Sequence, residues 1–263
     1  TAKLYTDCGM FTCNEAYGVE TSRRNLKNFV ENQGGNWRGL SLELLQRLNW
    51  GFNPEFAHPK NPNKKFPAII IPNDKGGLFA RGVNSKEYSN ISPTGTTTIF
   101  FPDSDTFDLI ITEGAINGAS ILQAIPTPNF GIIASGGTSG NQHVVEKLQQ
   151  LRNAGKNFRV IIAYDNDSNG AGDKAAEIAL ESILRAGYAV CKVDITETPD
   201  IDVNDALNAP EGIFELADQV FSAVDNPIFQ LPKNHTVITD SQYYFKNLFS
   251  AEIEENKKFA NRK

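Results

Sequence analysis

The sequence predicts an α/β protein whose centre is a parallel sheet with helices on both faces. Apolar strand patterns and helical patterns alternate strictly between residues 107 and 194. The strands are continuously apolar, as in Val160-Ile161-Ile162-Ala163, which is typical of strands that helices cover on both sides. We place strands at 107–112, 129–134, 158–164 and 188–193, and helices at 115–124, 141–154 and 173–186.

The first 103 residues are predicted to form a separate, basic α+β lobe. Leu26, Phe29 and Val30 have helical spacing and indicate a helix from Ser22 to Gln33. A second helix is expected after Ser41, a suitable N-cap.

The remainder of this lobe is predicted as one surface loop and one hairpin. Residues 53–65 are rich in Pro, Asn and Lys, which favours a loop. Strands are expected at 66–72 and 78–83, joined by a turn at 73–77.

Beyond residue 194 we expect an acidic loop and two helical stretches, roughly 203–224 and 240–259. The predicted domains are therefore residues 1–103, residues 104–208, and a C-terminal helical region with a linker at 209–263.

The net charge of −6 is unevenly distributed. Residues 1–100 contain 12 Lys/Arg and 8 Asp/Glu, whereas residues 101–263 contain the other 13 and 23. This asymmetry suits an enzyme that holds a polyanion with its first part and cations with its second. Chance scatter of surface charge would give the same numbers.

Bulk features predict a cytoplasmic protein. The three cysteines are too few for a disulfide framework. No apolar run reaches the roughly 20 residues needed to cross a bilayer, and no secretory leader is recognised.

Three carboxylates follow two of the predicted strands. Glu113 comes directly after strand 107–112, and Asp165 and Asp167 come after strand 158–164. Open α/β sheets bind ligands at this edge, and bare carboxylates a few ångströms apart repel by roughly 4 kcal/mol per pair. Oxygen-only ligands suit Mg²⁺ or Mn²⁺, so we expect a metal site and phosphate chemistry. The alternatives are a helix-start carboxylate at Glu113 and an Asp/Asn-rich loop that binds nothing.

The acidic turn at 200–205 is expected near the same edge. Asp202 could supply a further metal ligand, with Asp205 beside it. The alternative is that Asp202 is an N-cap, since it precedes a helical stretch.

Basic and amide side chains in the first lobe could hold nucleotide phosphate or a template strand. The candidates there are Arg81, Lys86 and Asn90, and Lys174 opens the helix after the second acidic cluster. Solvated surface is the usual position of such residues. None of the three histidines has an evident triad partner, and all are treated as surface residues.

The order of these segments resembles a known family. A strand that ends in Glu113-Gly114, followed by a strand that ends in Asp-x-Asp-x-x-Gly, is similar to the Toprim module of primases and topoisomerases. The first lobe resembles that of DnaG-type bacterial primases. The residues that carry the second resemblance are Trp37-Arg38-Gly39-Leu40-Ser41, Trp50 to Pro54, Phe66 to Pro72, Phe79-Ala80-Arg81, Lys86 to Asn90, and Asp202 to Asp205. Together they cover roughly residues 37–208.

The resemblance implies a DNA primase, a nucleotidyltransferase that makes short RNA primers on single-stranded DNA from nucleoside triphosphates by two-metal catalysis. Glu113 would be a metal ligand or general base, and Asp165 and Asp167 the principal ligands. Asp202 would be an auxiliary ligand, while Arg81, Lys86 and Asn90 would contact nucleotide or template. Two Mg²⁺ or Mn²⁺ ions and no organic cofactor are expected.

Two positions depart from the family pattern. Asn117 and Asn204 stand where the family usually has Asp, so each is expected to keep an oxygen ligand but to remove a charge. The second ion should therefore bind more weakly.

The surroundings of such a module can also be predicted. The resemblance implies an origin in a phage or mobile element, and thus the cytoplasm of a bacterial cell or a phage-infected host. A helicase is expected to be fused or bound at the C-terminal end, and no membrane partner is expected. A Toprim nuclease and a catalytically weakened DNA-binding replication module are the alternatives.

Overall fold

A computed structural model of the chain describes residues 18–58, 61–85, 87–137, 140–166, 168, 170–196, 198–225 and 227–232. Of these, residues 18–230 belong to one compact unit. The helix predicted at 240–259 lies outside the described residues.

Residues 18–91 form two helices and two antiparallel sheets. In chain order the elements are α1 (Gly18–Asn32), β1 (Asn36–Trp37), β2 (Leu40–Ser41), α2 (Leu42–Arg47), β3 (Gly51–His58), β4 (Asn61–Pro72), β5 (Leu78–Gly82) and β6 (Tyr88–Ile91). Strands β1 and β2 pair with each other, and β3 to β6 form a sheet in chain order. Ser41 caps α2 as predicted, because its side chain accepts a hydrogen bond from the backbone N–H of Leu44 at 3.2 Å.

The surface loop predicted at 53–65 is wrong, since β3 and β4 occupy most of it. Phe56 and Phe66 pack edge to face, with ring centroids 5.4 Å apart, and bury one side of the hairpin. A register shift between Asn53 and Phe56 accommodates Pro54. Most of the Pro, Asn and Lys residues that suggested a loop therefore lie on a strand pair that buries Phe56 and Phe66.

Residues 97–225 form a five-stranded sheet with helices on both faces, which confirms the predicted fold class. In chain order the elements are β7 (Thr97–Phe100), β8 (Thr106–Thr112), α3 (Ala115–Ala124), β9 (Gly131–Ala134), α4 (Asn141–Asn153), β10 (Asn157–Ala163), α5 (Ala171–Arg185), β11 (Val190–Lys192), α6 (Val203–Leu207) and α7 (Gly212–Asp225). The strand order is β11-β10-β8-β9-β7. Strands β8 to β11 are parallel as predicted, and β7 adds an antiparallel edge next to β9.

Successive residues of the central strands belong to two separate apolar clusters. Ile110 and Ile161 pack on the side of α3 and α7, whereas Leu109, Val160 and Ile162 pack on the side of α4 and α5. The strands are therefore apolar throughout because both of their faces are buried.

The single helix predicted at 203–224 is in fact two, α6 and α7. Pro210 lies between them and lacks a backbone N–H for a continuous helix. Gly212 begins α7, and a Cβ there would lie 2.3 Å from the carbonyl oxygen of Leu207, so the chain turns tightly at this point.

Candidate metal and nucleotide site

Two of the described acidic candidates lie at one edge of the sheet. Strands β8 and β10 are neighbours, and Thr112 pairs with Ala163 at their carboxyl ends. Glu113 directly follows Thr112, and Asp165 lies two positions after Ala163. Both are half-buried. The structure therefore brings Glu113 and Asp165 to the same edge, while Asp167 lies outside the described residues.

Asn117 connects these two strand ends. It is in the first turn of α3, is 5% exposed, and donates a hydrogen bond from Nδ2 to Oδ1 of Asp165 at 2.6 Å. A carboxylate oxygen has to face the amide nitrogen, so Nδ2 of Asn117 is used for Asp165, and the role of its oxygen as a metal ligand stays a prediction.

Backbone contacts fix the positions of both acids. The carbonyl oxygen of Glu113 accepts hydrogen bonds from the N–H groups of Gly136 and Gly137, at 3.2 and 3.1 Å, and from the hydroxyl of Ser135 at 3.2 Å. The first turn of α5 packs on the carbonyl of Asp165, where a Cβ on Gly172 would lie 1.8 Å from that oxygen. Only glycine permits this approach.

Asp202 is the N-cap of α6, as the alternative interpretation of this residue predicted. Its side chain accepts from the N–H of Asp205 at 2.7 Å, and the Asp205 carboxylate accepts from the N–H of Asp202 at 3.5 Å, which completes a capping box. Burial raises the pKa of Asp202. A ligand role for either residue stays a prediction.

Two arginines lie close to Asp202. The pKa of Arg81 is lowered by burial and by the neighbouring charge of Arg38, while Asp202 opposes the shift. Nε of Arg81 is buried and has no hydrogen-bond partner in the described part of the chain. A buried guanidinium with an unused N–H, close enough to a second guanidinium to feel its charge, is suited to an anion.

Arg38 is a candidate functional residue that was not among the predicted site residues. It lies within a segment that carries the family resemblance, and it precedes Gly39 in the tight turn between β1 and β2. Its guanidinium lies 5.6 Å from the centre of the Trp37 ring. The available signal was an arginine beside a glycine in a turn. The sequence alone does not show that this arginine lies close to Asp202.

The other basic and amide candidates lie on separate elements. Asn90 is exposed on β6 and lines a cavity of about 120 Å³ together with Thr94, Ser135 and His143. Lys174 is exposed in the first turn of α5. Lys86 lies outside the described residues.

His143 is not the simple surface residue that was expected. Its side chain is 23% exposed, and its ring nitrogens lie 2.9 Å from the Thr94 hydroxyl and 3.0 Å from Nζ of Lys75. His143 therefore connects α4 to the segment before β5, which contains Lys75, and to the segment after β6, which contains Thr94.

The donor set fits a hard divalent cation. Glu113 and Asp165 offer only oxygen atoms, and Mg²⁺ is commonly held by one or two carboxylates while it keeps several waters. Within the described ranges no group of three or more His, Cys, Asp or Glu side chains could hold a metal. The ligand role predicted for Asp167, which lies outside those ranges, stays a prediction.

The family comparison agrees with this geometry. Residues 108–210, which include both strand ends and the Asp202 turn, match the family model of the Toprim domain. These residues are a Toprim domain. No curated protein matches the chain.

Solved structures extend the likeness beyond the Toprim domain. The Aquifex aeolicus primase, with its zinc-binding and RNA polymerase domains, is 16% identical with a TM-score of 0.50, over 81% of this chain and 61% of that one. The RNA polymerase domain of Mycobacterium tuberculosis primase DnaG in complex with double-stranded DNA is 16% identical with a TM-score of 0.51, over 80% and 79% of the two chains.

A bacteriophage T7 structure is similar to the same extent. It contains a lagging-strand DNA polymerase interacting with primase domains of two gp4 subunits bound to an RNA/DNA hybrid and dTTP, and the match is 18% identical with a TM-score of 0.51, over 73% and 90% of the chains. Around its Toprim domain the chain thus has the fold of DnaG-type primase RNA polymerase domains. It spans about three-fifths of the Aquifex chain.

No helix in the described part of the chain is both long and apolar enough to cross a membrane.

Proposed function

We propose that this chain is the catalytic core of a DNA primase, which joins nucleoside triphosphates into short RNA primers on a single-stranded DNA template. The observation that carries the proposal is the position of Glu113 and Asp165, which follow register-paired residues of neighbouring strands in a Toprim domain. The fold shared with primase RNA polymerase domains supports it.

Each acidic residue has a role in this proposal. Glu113 acts as a metal ligand or general base at the attacking hydroxyl, and Asp165 and Asp167 are the principal ligands, with Asp202 as an auxiliary one. Two bound Mg²⁺ or Mn²⁺ ions supply activation of the 3′-hydroxyl and stabilisation of charge on the transferred phosphate. Asn117 holds Asp165 in place through its amide.

The basic residues bind the anionic reactants. Arg81 offers a buried N–H without a partner among the described residues, and it lies near Arg38. These groups suit the phosphates of a nucleotide or of the template, together with Lys86, Asn90 and Lys174. The bound DNA, RNA/DNA hybrid and dTTP in the similar structures support ligands of these classes. The domain boundaries, the helicase partner and the phage or mobile-element origin stay predictions.

Primer synthesis on labelled nucleotides tests the proposal. Purified protein would be incubated with single-stranded DNA, the four nucleoside triphosphates and Mg²⁺ or Mn²⁺, and the products resolved on a denaturing gel. We expect short RNA products with the wild type, and none with Asp165→Ala or Glu113→Gln. Asp105→Ala, which removes an exposed carboxylate at the opposite end of β8, is the control and should remain active.

The same gel separates the alternatives. Shortened DNA without RNA products would indicate a Toprim nuclease. Neither product, with DNA affinity that is indifferent to Mg²⁺, would indicate a replication module without catalysis. Either result, or full activity of Asp165→Ala, would overturn the proposal.

A further inference from the structure

The turn that carries Arg38 is fastened to the Toprim domain through its backbone. The carbonyl oxygen of Arg38 accepts one hydrogen bond from Nδ2 of Asn204 at 2.8 Å and another from Nδ2 of Asn208 at 3.0 Å. Nδ2 of Asn208 also bonds to the carbonyl of Asn204 at 2.7 Å. Asn204 belongs to α6 and Asn208 is its C-cap, so this one short helix holds the turn.

The turn has an unfavourable conformation that needs such support. Arg38 has a φ of 54°, in the left-handed region that residues with a Cβ rarely occupy. Gly39 also has a positive φ, and a Cβ there would lie 2.9 Å from Oδ1 of Asn208. The turn is therefore pressed against the end of α6.

The chemistry at position 204 requires a hydrogen-bond donor. A backbone carbonyl can only accept, so an amide N–H can satisfy it and a carboxylate cannot. Asn204 is 3% exposed, and its Nδ2 also lies 2.9 Å from Oγ of Ser120 on α3. An aspartate there would place a buried negative charge against the Arg38 carbonyl oxygen.

We propose that Asn204 is a positioning residue, which holds the Arg38 turn so that its guanidinium faces the anionic reactants beside Arg81. Its role is to donate hydrogen bonds, not to ligate an ion. This inference rests on the proposed function, because it assigns Arg38 to the phosphate-binding part of the same site. Arg38 is close enough to influence the pKa values of both Arg81 and Asp202, which agrees with this placement.

The test is a double-mutant cycle between Arg38 and Asn204, read out as binding and not as synthesis. The Kd of a fluorescein-labelled single-stranded oligodeoxynucleotide would be measured by fluorescence anisotropy in EDTA at fixed salt. We expect Arg38→Ala and Asn204→Asp each to weaken binding about tenfold, the effect of one hydrogen bond to a charged group. The double variant should bind no more weakly than Arg38→Ala. Asn153→Asp, which adds the same charge on the exposed end of α4, should bind like the wild type.

A second measurement separates positioning from metal ligation. Mn²⁺ binding, followed by electron paramagnetic resonance, should be within about twofold of wild type in Asn204→Ala, because the side chain is used as a donor. A large loss of Mn²⁺ affinity in Asn204→Ala that Asn204→Asp restores would overturn the inference. The inference would also be overturned if Asn204→Asp bound DNA as tightly as the wild type. It would be overturned too if Asn204→Asp weakened DNA binding equally with and without the Arg38 side chain.

A milder variant covers the case in which the Asn204 variants do not fold. Asn208→Ala removes one of the two donors to the same carbonyl from a more exposed position, and it should weaken DNA binding only when Arg38 is present. A folded Asn208→Ala with wild-type affinity would then refute the inference. Failure of the wild type to make primers would contradict the proposed function alone, since the binding comparison needs no synthesis.

Discussion

Asn117 donates a 2.6 Å hydrogen bond to Asp165, which joins the helix that follows Glu113 to the end of strand β10. The two acids come from neighbouring strands, and the amide between them adds a donor without adding a third negative charge. It can therefore orient Asp165 before any cation binds. The preorganisation of a ligand by a second side chain is a common way to define a metal site.

Asn117→Asp should destabilise the protein in the absence of divalent cations. The substitution replaces the donor by a carboxylate that repels Asp165, and loss of the bond alone corresponds to about 1–3 kcal/mol. Urea unfolding in EDTA measures the change in the free energy of unfolding. Added Mn²⁺ should recover part of it, because a cation can bridge the two carboxylates. Asn117→Ala is the matched control, which should lose stability without recovering it in this way, and equal stability of Asn117→Asp and wild type in EDTA would contradict the interpretation.

The stability difference between the wild type and Asp202→Asn should depend on pH. Burial raises the pKa of Asp202, so the folded state binds the proton more tightly than the unfolded state does. The ionised side chain therefore lowers stability at neutral pH, and this loss fades as the pH falls through the raised pKa. Asparagine keeps the N-cap and removes the charge, so Asp202→Asn should be the more stable protein at pH 7 in EDTA and should lose its advantage towards pH 4.

Asp202→Ala provides the control for the cap. It should be less stable than Asp202→Asn by about 1 kcal/mol at either pH, because alanine cannot cap α6. A stability difference between wild type and Asp202→Asn that does not change with pH would contradict the assigned shift.

Asp74→Ala should weaken the attachment of the β4–β5 turn to α4. Asp74 accepts hydrogen bonds from the backbone N–H and the hydroxyl of Thr96, at 2.9 and 2.8 Å, and Nζ of Lys147 lies 3.3 Å from it. The Lys147 and Asp74 side chains are only 15% and 14% exposed, so losing the contacts of Asp74 should lower the free energy of unfolding by about 2–3 kcal/mol. Thermal unfolding measures this change. Asp105→Ala, where the carboxylate is 78% exposed, should change stability by less than about 1 kcal/mol, and equal effects of the two variants would refute the prediction.

Cys191 should be unreactive in the folded protein. Its thiol is 2% exposed, and burial raises its pKa to about 12, so the reactive thiolate is scarce at pH 8. In a Cys8→Ser/Cys13→Ser background, alkylation by iodoacetamide followed by mass spectrometry should proceed only in denaturant. Rapid modification of the native protein would show that this part of the sheet opens readily.

The sequence was informative where each strand carried its own apolar run. Strands β8 and β10 could be placed because both of their faces are buried, and the rule for parallel sheet edges then located Glu113 and Asp165. The hairpin of β3 and β4 could not be placed, since its buried Phe56 and Phe66 are separated by a run of residues typical of loops. Strand β7 was missed because a four-residue edge strand has too short a pattern.

The roles of the two asparagines depended on contacts that no local pattern contains. The hydrogen bond from Asn204 to Arg38 joins residues 166 positions apart, and that from Asn117 to Asp165 joins residues 48 apart. The sequence indicated only that both amides lack a charge. Which atom of each amide faces its partner is decided by tertiary packing.

The most direct test of the account is a crystal structure of the protein soaked in Mn²⁺, with anomalous scattering used to locate the ion. The account predicts an anomalous peak within about 2.0–2.6 Å of carboxylate oxygens from both Glu113 and Asp165. A Mn²⁺ peak that contacts neither residue, or carboxylates that point away from each other with no ion between them, would contradict it.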